Sequence, residues 1–538
     1  MRLRLPIVMS CVLLVMIAAA CGGPKSATSQ VLRIGNGAEP EGLDPHTVTG
    51  IPEHHVLLCL MEGLVRLNPV DLAIVPGVAE RWEESEDGLE YTFYLRNDAK
   101  WSNGDPLTAK DFAYAWRRIL TPSLASEYAY MLFPMKNAQA FNEGKITDFS
   151  QVGCEVTDDY TVKVVLEKPT PFFMQLHAHY SWFPVQQATI EKFGAMDDRN
   201  SQWTRAGNFV GNGPYVLAKW IPNSVIAVTP NPHYWNAAGV KNAGVEFYPV
   251  SSDLTEERMF RAGELDITEN VPVSKVSVYQ KEDPEVLRID DWIGSYFYRV
   301  NTTRKPLNDV RVRKALAMAM DRDAIVTRVL QSGEKPAPYL TPAGIGGYVP
   351  SAGVKYDVEG ARRLLAEAGY PNGDGCPTID ILYNTLEKHK IIAEAIQQMW
   401  KENLHINVTL TNQDWKVYLD ATSNESLDYD LARAGWIGDV VDPINFLECF
   451  ISGNGNNRTG WGNAEYDRLL DESARTKDHD ARNKLFDQAE TILVDELPII
   501  PIYHYTRPFL IQKYVKDFHP NILGYYAFHL VSIEKSDS

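Results

Sequence analysis

Apolar residues recur along the chain at two periods, about 3.6 and 2, in alternating short blocks, and that texture predicts an α/β fold. Between Lys100 and Leu120 the turn dipeptide Asn103-Gly104 is followed by Thr108, three residues before Asp111, the spacing of a capping box. Phe112, Trp116 and Ile119 then lie on one helical face. From Thr378 to Leu410 a β-rich run at Ile379 to Tyr383 leads into Ile391, Ile392, Ala395, Ile396, Met399, Trp400 and Leu404, an amphipathic helix. Ile406, Val408 and Leu410 alternate as a half-buried strand. The pattern predicts a strand-helix-strand unit with parallel strands and a right-handed crossover. Ligands gather beyond the carboxyl ends of such strands, where His389 falls in the first turn of the helix.

A third block runs from Tyr429 to Ile451. Leu431 to Ala434 reads as a strand, Gly435 to Val441 as a loop, and Asp442-Pro443 as an N-cap and first helical residue. Asp439 therefore lies between a strand end and a helix start, and the helix end is expected to keep its carboxylate ionised. Arg433 is the one obvious cation nearby in sequence.

The 538 residues exceed what one core accommodates and suggest about three domains' worth of chain. With 45% apolar and 23% charged residues the composition is that of a folded protein. The net charge of −18, without a long basic stripe, argues against nucleic acid as a partner. Aromatics at 11% suit a wet pocket that stacks on varied ligands as well as an ordinary core.

At the N-terminus Arg2 and Arg4 precede an apolar run from Leu5 to Ala20, which is short for a membrane span and reads as a signal peptide over 1–20. Ala18-Ala19-Ala20 before Cys21 resembles a bacterial lipobox, with Ala18 where Leu is commoner. Cys21 would then be the lipid anchor and 21–30 a tether, whereas plain cleavage after Ala20 would leave a soluble protein. Cys59, Cys154, Cys376 and Cys449 are widely spaced. An exported chain permits disulfides among them, and burial as small apolar side chains is equally compatible. There is no H-E-x-x-H, G-x-S-x-G or C-x-x-C, so neither an enzyme nor a cofactor or metal site is expected.

Six segments in order resemble the peptide- and nickel-binding family of extracellular solute-binding proteins of ABC importers, in its oligopeptide-binding branch. They are Leu43 to His46, Lys100 to Ala109, Gly211 to Tyr215, Asn231 to Trp235, Pro306 to Leu316 and Ala434 to Asp439. The resemblance covers nearly all of the mature chain. It implies a periplasmic-binding-protein-like fold: lobe 1 from 24–62, 186–292 and 507–538, an extra α+β domain over 63–185, and lobe 2 over 293–506, joined by a hinge. It implies a monomer that captures short peptides and passes them to permease subunits, outside the cytoplasmic membrane or in a periplasm. By the same resemblance Asp439 meets the peptide ammonium with support from Asn456, and main chain near Gly435 and Ile51 pairs with the ligand as an added strand. Trp415 and Trp436 match pocket walls, Tyr128 a ligand-facing tyrosine, and His389 and Arg433 cationic positions for the ligand carboxylate.

The chain departs from the branch at several points. Thr422 stands where a second Arg is usual, Thr49 and Arg299 where acids are, Glu269 where an aromatic is, and Gly294 and Ile437 where close relatives carry a cysteine pair. Glu269 and Arg299 are expected to pair with each other if they do not face ligand. Other cargoes with the same transport role remain open: dipeptides, sugars, cell-wall or signalling peptides, nickel chelates or haem. A peptidase and an adhesive lipoprotein are the rivals outside transport.

Overall fold

The computed structural model describes residues 30–423, 426–519 and 521–535. The expected signal peptide over 1–20, Cys21 and most of the expected tether lie outside the described residues. Three sheets organise the rest. A four-stranded sheet is ordered Val31–Gly35, Gly244–Tyr248, Val225–Pro230, Tyr215–Ile221. A second is ordered Ala79–Glu84, Glu90–Leu95, Thr161–Val165, Cys154–Asp158. The six-stranded sheet is ordered Lys335–Pro336, Ile499–Leu510, Leu287–Val300, Leu431–Ile437, Ile379–Asn384, Val408–Gln413. This is the two-lobed, periplasmic-binding-protein-like α/β fold with an additional α+β unit.

Local sequence accounts for the elements. In Glu90–Leu95 the residues Tyr91, Phe93 and Leu95 are buried while their neighbours are not, the alternation of a one-sided strand. Thr108 caps the helix Ala109–Leu120 through a full capping box, with its N–H and hydroxyl both on Asp111 Oδ2 (2.8 and 3.1 Å). Phe112, Trp116 and Ile119 are fully buried beneath it. The strand-helix-strand unit forms as expected: Ile379–Asn384 pairs in parallel with Val408–Gln413, joined by the helix Glu387–Leu404. That helix buries Ile392, Ala393, Ile396, Trp400 and Leu404; Ile406 is buried just ahead of the second strand rather than within it.

Two long strands connect the lobes. Leu287–Val300 and Ile499–Leu510 pair antiparallel, and their register breaks between Asp291 and Ser295. One side of the break packs with Phe260, Leu265, Val271 and Val276 of the first lobe, and the other belongs to the six-stranded sheet. The core of the first lobe is continuous with that of the extra unit, so these two form one body. The four cysteines among the described residues are free, and Cys59 and Cys449 are buried.

Gly294 lies directly opposite Ile437 on the neighbouring strand. A side chain at 294 would meet Ile437 Cδ1 at 2.5 Å, so the isoleucine fills the space at this pair of positions.

Candidate functional site

The Leu431–Ile437 strand pairs along its whole length with Leu287–Val300 but touches Ile379–Asn384 only at Leu431 and Ala432. Past Ala432 its second edge has no strand partner among the described residues. Gly438 donates its N–H to Ile293 (2.7 Å), so alternation turns the peptide groups of Gly435 and Ile437 toward that open edge. Arg433 faces the same way, and its carbonyl accepts the Tyr418 hydroxyl. At Gly435 a Cβ would stand 2.6 Å from Tyr505 Oη, so only glycine lets the tyrosine lie against this backbone.

The open edge runs into Asp439. Asn445 Oδ1 accepts the Asp439 N–H (2.8 Å) and lies 3.4 Å from Trp436 Nε1, tying the loop to the half-buried tryptophan. Burial pushes the Asp439 carboxyl up to about 7, with an Asn445 hydrogen bond opposing weakly. The expectation that a helix end keeps it ionised is thus reversed. The helix Ile444–Leu447 is a single turn, too short for a useful dipole, and the cost of burying charge dominates. Glu448 is pushed up to about 8 by burial and then by Asp439 itself, with Lys168 opposing least, so two acids share a dry neighbourhood and neither has an ion-pair partner among the described residues. Across the cleft stand Tyr128 and Tyr130, whose phenols are raised first by burial and next by the charge of Asp439. Tyr128 packs edge-on against His179 (4.9 Å) and Tyr180 (5.8 Å).

Arg433 and His389 meet around Tyr296. The Tyr296 hydroxyl shares a hydrogen bond with His389 Nδ1 at 3.3 Å, and the Arg433 guanidinium lies 5.0 Å from the tyrosine ring centre. Arg433 also donates to Tyr505 Oη (3.0 Å), while its buried Nε has no partner. It pairs with neither Asp439 nor Asp430, the latter lying 3.7 Å from Arg304. Burial and the neighbouring Arg433 hold His389 well below its usual range, so it is neutral and Arg433 supplies the charge at this end.

The remaining candidates separate. Ile51 opens the helix Ile51–Leu60 and is 37% exposed. Asn456 sits half-buried in a turn, its N–H on Asn454 Oδ1 (2.8 Å). Trp415 begins the helix Trp415–Ala421, and its side chain lies outside what is described. Thr422 is fully buried and its hydroxyl bonds back to Tyr418 O (2.9 Å). Glu269 does not pair with Arg299: its carboxylate takes a 2.5 Å bond from Arg507, 238 residues away, with His55 Nδ1 at 4.0 Å. A residue so committed serves the first lobe's interior. Among the described residues no group of three His, Cys, Asp or Glu is placed to hold a metal ion.

Residues the sequence did not single out join the lobes beside Asp439. Val440 is 1% exposed and belongs to the core of the first lobe and extra unit, although the strand it follows belongs to the second lobe. The Val441 N–H donates to Gln175 Oε1 (2.8 Å), and Lys168 meets Asp471 (3.1 Å). The loop that carries Asp439 is therefore clamped between lobes. In this closed arrangement an ionised Asp439 is disfavoured, whereas an open, wet cleft leaves it near the ordinary value for Asp. Closure of the empty protein consequently takes up a proton, and it is favoured as pH falls from about 7 toward about 4. Small-angle scattering without peptide is expected to show a smaller radius of gyration at pH 5 than at pH 8, with the difference reduced in Asp439→Asn; expansion on acidification would contradict this.

A fold of two lobes closing over a strand edge and a buried carboxylate defines a solute receptor. The model of the bacterial extracellular solute-binding proteins, family 5, matches residues 73–458, and the chain belongs to that family. The periplasmic oligopeptide-binding protein OppA of Salmonella typhimurium is 38% identical over 502 residues, 92% of this chain and 90% of that protein. Among solved structures, the murein tripeptide binding protein MppA of Escherichia coli is 37% identical with a TM-score of 0.86, covering 95% of this chain and 99% of that one. OppA of Haemophilus influenzae in complex with RPPGFSPFR is 37% identical with a TM-score of 0.84, covering 94% and 99%. The unliganded open form of MppA gives a TM-score of only 0.73 at the same identity, covering 95% and 98%, so the lobes here stand in the closed arrangement.

Proposed function

We propose that this chain captures short peptides between its lobes by their main chain and charged ends, and delivers them to the permease of an ABC importer. The observation that carries this reading is the unpaired edge at Gly435 and Ile437, which leads straight to the uncompensated Asp439. A peptide laid along that edge gains strand hydrogen bonds that read no side chain, and its α-ammonium supplies the cation Asp439 lacks. Arg433, seated among tyrosines at the far side of the same strand, suits the carboxylate end. Gly435, Asp439, Trp436, Tyr128, Arg433 and Asn456 are the contacts we assign to ligand; Ile51, Trp415 and His389 would complete the walls, and Glu269 stands behind them.

The same mechanism divides the chain at 63, 186, 293 and 507, and the register break at Asp291 to Ser295 supports a hinge there. We assign Cys21 as the lipid anchor that holds a monomeric receptor at the outer face of the cytoplasmic membrane. No helix of the described residues is long and apolar enough to cross a membrane. Native mass spectrometry of gently purified protein tests the cargo: a ladder of bound masses fitting two to five amino acids is expected, and one uniform non-peptide mass would contradict the reading.

A further inference from the structure

Among the described residues, five buried arginines are matched to a carboxylate or to carbonyls. Arg118 meets Asp44 (2.6 Å), Arg482 meets Asp442 (2.5 Å), Arg507 meets Glu269 (2.5 Å), and Arg313 and Arg322 are held by backbone carbonyls. Arg299 and Arg458 are not. Neither side chain has a carboxylate or hydrogen-bond partner among the described residues, and the Nε of Arg299 is buried with no acceptor. Both side chains are half-buried.

Their surroundings place them together. Arg299 lies on the Leu287–Val300 strand opposite Ala432, whose small side chain leaves its guanidinium room. Tyr418 and Tyr429 stand close enough for Arg299 to be the largest charge acting on their phenols. The Tyr429 hydroxyl donates to the Arg458 carbonyl, which fastens the 454–458 turn against this wall. Arg458 is then depressed by burial and by the charge of Arg299. Glu127, exposed on the extra unit, attracts Arg458 without forming an ion pair. Cys449 feels both Arg299 and Asp439, so Arg299 lies toward the ammonium end of the cleft. Arg458 also follows Asn456 by two residues, its N–H on the Asn456 carbonyl (2.9 Å).

Two adjacent guanidinium groups in a half-dry wall repel each other, and one carboxylate bridging them would relieve the repulsion with charge-assisted hydrogen bonds. We propose that Arg299 and Arg458 form a carboxylate-binding subsite on the Asp439 side of the cleft, which selects peptides that carry a carboxylate near their amino end. This rests on the peptide-binding reading above. The carboxylate is an acidic side chain or the terminal carboxylate of a peptide two or three residues long, and both are the same chemistry to the site.

Calorimetry at pH 7.5 with alanine tetrapeptides bearing Glu or Gln at the first, second or third position probes the side-chain source. Ala-Ala and Ala-Ala-Ala, each as free acid and C-terminal amide, probe the terminal source. The subsite predicts that at least one acid binds about tenfold or more tighter than its matched amide in the wild-type protein. That preference should shrink to about threefold or less in Arg299→Gln and in Arg458→Gln, with thermal melts confirming that each variant folds. Arg458, in a turn, provides the readout should the strand substitution misfold. The inference is overturned if the Gln peptides bind with no preference for any acid, or if the preference survives in the folded variants. If no peptide of either kind binds, the proposed function falls with it.

Discussion

Replacing Asp439 with alanine is expected to weaken capture of a free tripeptide by at least about tenfold, on the order of 1.4 kcal/mol or more, in calorimetry at pH 7.5. In the closed cleft this carboxyl has Asn445 as its hydrogen-bond partner and Glu448 as an acidic neighbour, and burial pushes it up to about 7. An incoming ammonium converts that penalty into a pair. Removing the carboxylate strands the ammonium instead, and losing the partner of a buried charge typically costs about 3–5 kcal/mol. Asp439→Asn separates charge from shape: it keeps the contour of the loop and should lose nearly as much affinity. Unchanged affinity in both variants would remove Asp439 from the site.

The second large effect concerns closure. Val440→Asp should lower peptide affinity by about a hundredfold or more while leaving the melting temperature of the empty protein within a few degrees. Val440 is a side chain of the second lobe that becomes 1% exposed only by entering the core of the opposite body, beside the Val441 to Gln175 hydrogen bond. Burying a valine there is worth about 1.5–3 kcal/mol, and a carboxylate at the same place adds a desolvation cost that nothing nearby offsets. Parting the lobes would expose residue 440, so the penalty is expected to fall on the closed, ligand-holding state. A variant that melted far below wild type but bound normally would show that Val440 serves stability and not closure.

Local signals carried far in this chain. The capping box at Thr108 and Asp111, the buried face of Phe112, Trp116 and Ile119, and the parallel strands around the 387–404 helix follow from spacing that acts over a few residues. Resemblance then placed Gly435, Trp436 and Asp439 along one wall. What escaped depends on partners far apart in sequence. Nothing near Glu269 announces Arg507, 238 residues on, and nothing near Arg433 announces Tyr505, 72 residues on. The charge state of Asp439 is hidden from the sequence for a related reason. A local helix start is visible in Asp442-Pro443, but the burial that outweighs it is created by Val440 docking into another unit. The neutral state of His389 likewise comes from its depth beneath Tyr296. Binding sites between lobes are built from such long-range meetings, which periodicity does not encode.

The measurement that bears most directly on the peptide-receptor account is calorimetric titration of the wild-type protein with one tripeptide in free and N-acetylated forms. Acetylation removes the cation meant for Asp439 and leaves the main chain and carboxylate intact. A loss of at least about tenfold in affinity is the predicted result. Equal affinities for the two forms would mean that the cleft does not hold its ligand by the amino end.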